Sequence, residues 1–142
     1  STVTRLQDMG IPPFLISSSL LLVIAQRLVR RICLECREAV QVPVSALIDV
    51  GFRPEEAEGV RVYTGKGCAN CANTGYKGRI SVHEIMWVIP ELQEAIVRQR
   101  PANELKEIAV KAGMRTLRQT GLRKVANGLT TIDEVLRVTF AD

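Results

Sequence analysis

The chain has 142 residues, 46% of them hydrophobic and 24% charged, with a mean hydropathy of +0.10. That balance excludes a disordered tail and sets an expectation of one domain or two very small ones. Aromatic residues are only 4%, so the core must come from Leu, Ile, Val and Ala, which suits packed helices better than a strand sandwich. Nineteen basic against fifteen acidic side chains give a mild net charge of +4.

Residues 11–25, IPPFLISSSLLLVIA, are apolar but about five short of the roughly 20 that a bilayer requires, and they include two prolines. No transmembrane segment is predicted. Phe14, Ser18, Leu21, Ala25, Leu28 and Ile32 recur at steps of three and four, which predicts one amphipathic helix through this region. Arg27, Arg30 and Arg31 would favour its C-terminal dipole.

From Cys33 to about Ile80 helical periodicity fades and glycines accumulate. Residues 44–50 and 54–58 suit short helices, whereas the alternating runs 60–63 and 79–83 suit strands of a small ribbon. This stretch has too little apolar content to hold itself together, so a staple is expected.

Four cysteines supply one. They form two C-x-x-C pairs, Cys33/Cys36 and Cys68/Cys71, with 31 residues between them. The first 20 residues lack a basic start and small-residue cleavage signature, so metal ligation is favoured over disulfides. Each pair offers two thiolates from one tight turn, and two such turns close a tetrahedral zinc site. A site closed by four protein ligands is structural, with about one zinc per chain. Four thiolates around zinc carry a charge of about −2, which Arg30, Arg31, Arg37, Lys66, Lys77 and Arg79 are placed to offset. Small residues around the second pair would let backbone N–H groups face the sulfurs. The competing dithiol-redox reading lacks a thioredoxin-like pattern. His83, the sole histidine, is expected to be packed or exposed and not a ligand.

Beyond Pro90 helical periodicity returns. Helices are predicted over 91–100, with Leu92, Ala95 and Ile96 inside, and over 104–112, capped by Asn103 and stopped by Gly113. A third spans 114–126, where Gly121 implies a close helix approach. The last follows a Thr131/Glu134 capping box. The expected fold is therefore mainly α with a small β component: a helical bundle flanking a tetracysteine zinc-binding ribbon. No nucleotide-binding loop, nucleophile elbow or His-Glu zinc motif occurs in the sequence, so the chain by itself is not expected to be catalytic. Its basic residues are dispersed except between 108 and 132, where Lys111, Arg115, Arg118, Arg123 and Lys124 meet no acid. No aromatic residues interleave with them, so base stacking has no platform and nucleic acid is not expected as a partner.

The run Cys68-x-x-Cys71-x-Asn-Thr-Gly-Tyr-Lys-Gly-Arg79, followed by His83-Glu84-Ile85, resembles the ATPases of type II secretion and type IV pilus assembly. The stretches 1–10, 26–33, 113–125 and 128–139 resemble the same family, so the likeness covers nearly the whole chain. Thr120 departs from it, since members often carry an acidic residue there. The resemblance implies the C-terminal part of a cytoplasmic homo-hexameric motor peripheral to the inner membrane. ATP and magnesium would bind only in the full-length protein, and an inner-membrane platform protein would be its partner. It divides the chain into residues 1–32, a helical segment ending the ATPase core; 33–83, the zinc-binding subdomain; and 84–142, the helical bundle. Gln26 and Arg27 would be candidates to approach nucleotide in the assembled motor. The alternative is a stand-alone zinc-binding interaction module.

Overall fold

A computed structural model describes residues 1–142. The elements in order are α1 (Thr2–Asp8), α2 (Pro13–Ser19), β1 (Leu22–Ile32), β2 (Arg37–Val40), α3 (Val44–Val50), α4 (Pro54–Ala57) and β3 (Val62–Gly65). A 3₁₀ turn (Ala69–Cys71) leads to β4 (Tyr76–Trp87), followed by α5 (Pro90–Val97), α6 (Ala102–Lys111), α7 (Leu117–Ala126) and α8 (Ile132–Val138). The fold is mixed, 44% helical and 22% strand, with more strand than a mainly α reading allows. None of its helices is long and apolar enough to cross a membrane.

The largest departure lies between residues 11 and 32. The expected single helix is instead α2 followed by the 11-residue strand β1, which pairs with β4. Phe14, Leu21 and Leu28, members of the predicted stripe, are 62%, 77% and 47% exposed. Pro13 at the first turn starts α2, but the three serines at its end are poor helix propagators. Beyond them Val23, Ile24, Val29 and Ile32 are β-branched, and pairing with β4 decides the outcome.

Two compact units are formed by discontinuous stretches. One comprises 1–25 and 84–115, the other 26–83 and 116–142. In the first, α2 packs on α5, and α5 on α6. Its core is Val3, Ile16, Leu92, Ala95, Ile96, Leu105 and Ala109, with the three predicted inner residues of α5 all buried. The cap of α6 differs from expectation: its N-cap is Pro101, with no side-chain cap from Asn103.

In the second unit β2 pairs antiparallel with β3, Arg37 opposite Gly65 and Val40 opposite Val62. The core is Leu47, Phe52, Ala57, Val62, Leu122, Val125 and Val135. Helices α7 and α8 pack together here, so the four C-terminal helices divide between the units in place of one bundle. Gly121 explains their approach: a Cβ at that position would lie 2.8 Å from Val135 Cγ1. Thr116 caps α7, in a reciprocal box with Gln119. Arg118, expected on an open basic face, is buried. It donates to Thr139 Oγ1 (2.7 Å), Thr139 O (3.2 Å) and Val50 O (3.0 Å).

The capping box of α8 is only half formed. Thr131 Oγ1 accepts from the Glu134 backbone N–H, while the Glu134 carboxylate turns away to other partners. Its Oε2 accepts from the Arg30 backbone N–H at 2.7 Å and from Arg137 Nη2 at 2.9 Å. Oε1 accepts from Arg30 Nη2 at 2.9 Å. The Glu134 side chain is 2% exposed. Burial alone would raise its pKa, but the hydrogen bonds from Arg137 and Arg30 outweigh it and hold the carboxyl at about 2, below its ordinary 4.5.

Because the folded pKa is depressed, this stabilisation is full above about pH 5 and is lost as the pH falls toward 2. Denaturant melts between those limits should lose ~2 kcal/mol through this group, a value discounted for solvent at the half-exposed arginines. Glu134→Gln should flatten that pH dependence and lower stability at pH 7. Arg118→Ala leaves buried carbonyls without a donor and should cost about 1–3 kcal/mol. Arg123→Ala, on an exposed position, should stay within about 0.5 kcal/mol in the same melts.

Candidate metal centre

The second C-x-x-C pair brackets the 3₁₀ turn. Cys68 is its N-cap in an extended conformation, and the chain leaves through Ala72 and Asn73 in the left-handed region, φ 53° and 61°. Two residues on, Gly75 at φ 80° lets the chain double back against Gly65, the last residue of β3. A Cβ on Gly65 would lie 2.0 Å from Gly75 O, so the backbones can approach only because neither residue has a side chain. The first pair lies in the turn between β1 and β2. The Cys33 N–H donates to Gly75 O at 2.9 Å and the Lys66 N–H to Cys36 O at 3.1 Å, so each turn is bonded to the other pair's segment.

The four Sγ atoms lie within 4.8 Å of one another. Cys33 and Cys68 are 3.8 Å apart, Cys36 and Cys71 3.8 Å, and Cys68 and Cys71 3.7 Å. All four are free thiols, not disulfides. Sulfurs at the corners of a tetrahedron with metal bonds of about 2.3 Å stand about 3.8 Å apart, so these distances fit a zinc-sized ion. A set of four sulfurs with no oxygen donor also suits a soft or borderline metal and not magnesium or calcium. The sequence-predicted ligand residues are thus brought together, and they could hold a metal ion.

Backbone donors surround them. Gly67 N–H faces Cys36 Sγ, and the N–H groups of Cys68 and Gly75 face Cys71 Sγ, all at 3.3 Å. Burial raises the Cys71 pKa, but those two N–H groups outweigh it and bring the thiol down to about 6. At Cys36 burial dominates, the neighbouring sulfurs add to it, and the thiol is pushed up to about 12. Sulfurs this close resist carrying full charge together, and a divalent cation relieves that repulsion.

Two of the six expected counter-charges, Arg30 and Arg37, have other engagements. Arg30 bonds Glu134 and stacks over the Tyr76 ring, 4.1 Å from its centroid. Arg37 donates to Gly128 O and stacks over Tyr63 at 4.8 Å. Lys77 Nζ donates to Asn70 Oδ1 at 2.8 Å, and Asn70 Nδ2 lies 3.9 Å from Cys33 Sγ. Asn70 escaped the sequence reading, because nothing in its spacing separates it from the other small residues of the turn. His83 is exposed and lies outside the cysteine cluster. Its carbonyl accepts from Thr120 Oγ1 at 2.7 Å, so the hydroxyl at this departure from the family pattern has a bonded place. Gln26 and Arg27 are exposed on β1, where Arg27 Nη1 donates to Gln26 O.

Known proteins resemble the chain over nearly its whole length. Residues 1–137 match the family model described as Type II/IV secretion system protein. The type IV pilus assembly ATPase PilB of Thermus thermophilus is 47% identical over 97% of the chain, and that of Myxococcus xanthus 43% identical over 99%. The type II secretion system protein E of Klebsiella pneumoniae is 44% identical over 96%. The chain spans only 16%, 25% and 27% of the lengths of these three relatives. With nearly its whole length matched, the chain belongs to the type II/IV secretion system protein family.

Proposed function

We propose that this chain is the zinc-binding and C-terminal helical part of a hexameric ATPase that powers type IV pilus assembly or type II protein secretion. The observation that carries the reading is the closed cluster of Cys33, Cys36, Cys68 and Cys71, all four sulfurs within 4.8 Å, in a chain that belongs to this family. Zinc held by four thiolates has no position for water or substrate, so the chemistry it supplies is structural. The protein's own groups do the rest: the N–H groups of Gly67, Cys68 and Gly75 temper the sulfur charge, and the Gly65/Gly75 approach keeps the two turns together.

On this reading residues 1–32 close the ATPase core, 33–83 form the zinc-binding subdomain, and 84–142 supply the helices. Nucleotide, magnesium and the phosphate-binding loop belong to the rest of a longer protein, which acts in the cytoplasm beside the inner membrane. The zinc subdomain is a rigid piece that transmits domain motion toward a membrane platform protein. The names of the relatives, pilus assembly ATPase and secretion system protein E, support this assignment.

Metal analysis of the purified chain should find about one zinc per chain and no ATP hydrolysis. Cys68→Ser with Cys71→Ser should abolish stoichiometric zinc and lower the melting temperature. Iron in place of zinc, or unchanged stability after metal loss, would defeat the structural-zinc role. Translation of the genomic frame upstream of Ser1 should reveal a phosphate-binding loop. A start codon directly before Ser1 would instead favour a stand-alone zinc-binding interaction module.

A further inference from the structure

Asn70 is the one side chain other than cysteine that places a donor on a sulfur of the cluster. It is held at the middle of the 3₁₀ turn between Cys68 and Cys71, yet the sulfur it faces belongs to Cys33, 37 residues away on the other turn. Its second contact fixes its orientation. Lys77 has three donors and no acceptor, so the atom 2.8 Å from Nζ must be the amide oxygen. The NH₂ group is then left facing Cys33 Sγ. Of the six cations expected to offset the centre's charge, Lys77 is the one whose hydrogen bonds lead to a sulfur; Arg30 and Arg37 are engaged elsewhere.

We propose that Lys77 and Asn70 form a charge relay that stabilises the Cys33 thiolate of the metal-loaded centre and links its two cysteine turns. The ammonium draws electron density from the amide oxygen, which makes the NH₂ a stronger donor to the sulfur. Lys77 thereby acts on the centre through Asn70 without touching a ligand. Both are positioning residues, and metal-binding groups in such outer positions change affinity about 10–100-fold when lost. The inference rests on the zinc reading above.

The test is competition for zinc between the 142-residue chain and a chromophoric chelator, with cobalt(II) as a spectroscopic probe. Lys77→Met and Asn70→Ala should each weaken zinc binding about tenfold. The double variant should be no weaker than Asn70→Ala, because the lysine acts only through the amide. Asn70→Asp keeps the size and the contact with Lys77 but turns a carboxylate oxygen toward the sulfur. It should cost most, approaching 100-fold, while cobalt retains the visible bands of a tetrahedral four-sulfur site. Lys66→Met removes an equally charged neighbour that makes no hydrogen bond to Asn70, and any loss of affinity should stay well below that of Lys77→Met. The substituted positions are all exposed, and circular dichroism of each zinc-saturated variant against wild type checks that its fold is unchanged. Wild-type affinity in Asn70→Asp, or an equal loss in Lys66→Met, would overturn the relay while leaving the zinc centre standing. A wild-type chain that binds neither zinc nor cobalt would overturn both.

Discussion

Glu134 is a carboxylate almost removed from water, and the larger unit is organised so that it does not stand there alone. A buried charge without partners is costly enough to prefer protonation or unfolding. Here the backbone N–H of Arg30 and two guanidinium groups meet it. The geometry joins elements that are distant in sequence: Arg30 lies on β1, Glu134 and Arg137 on α8. The same junction is closed by Thr130 Oγ1 donating to Arg30 O at 2.7 Å and Ile32 N–H donating to Leu129 O at 2.9 Å. The end of β1 is therefore fixed through three backbone groups, the N–H and carbonyl of Arg30 and the N–H of Ile32, before the chain enters Cys33. The arginine heads remain half exposed, so they keep part of their hydration while the carboxylate receives Nε and Nη2 from each.

That junction also reaches the second cysteine turn. Tyr76 lies just beyond Gly75; its ring carries the Arg30 guanidinium, and its hydroxyl bonds Thr131 Oγ1 at 2.8 Å. From the first turn, Arg37 crosses to Gly128 O, where the chain passes through φ 75°, a left-handed conformation that favours glycine. Both cysteine turns are thus bonded to the connection between α7 and α8. A sulfur cluster of this kind could have been a separate knuckle on a flexible tether. Instead, its backbone and neighbouring side chains are bonded to the connection of a helical hairpin, so that a metal held by the four sulfurs would have leverage over residues far along the chain.

The parts legible in the sequence are those set by local rules. Two C-x-x-C pairs specify a four-sulfur site whatever lies between them, and Gly121 signals a close approach because a helix tolerates that residue only for a reason. Helices α3 to α8 were readable because prolines, glycines and apolar spacing act within a turn or two. The rest depended on distant partners. Residues 22–32 satisfy a helical stripe, but a strand partner 50 residues downstream decides their state. Thr131 and Glu134 have the spacing of a capping box, yet two arginines offer the carboxylate more than the N-cap N–H does. Arg118 and Arg123 stand five positions, about 140°, apart on the helix, so Arg118 falls beside the face of Gly121 and Val125 and Arg123 opposite it. Only the fold shows that Val50 O and Thr139 O await one of them.

The positive charge has its meaning changed by the same facts. A nucleic-acid footprint needs cations free to face phosphates along a surface. In the stretch from Ile108 to Ile132, Arg118 is internal, while Lys111 and Arg115 belong to one unit and Arg123 and Lys124 to the other. Arg30 and Arg137 neutralise Glu134, Arg37 holds a turn carbonyl, and Lys77 bonds an amide at the sulfur cluster. Each of these cations has a named partner within the chain. Part of the net charge of +4 thus sits in pairings at a buried carboxylate, at backbone carbonyls and, through Asn70, at one sulfur of the cluster, where it ties together elements that are distant in sequence.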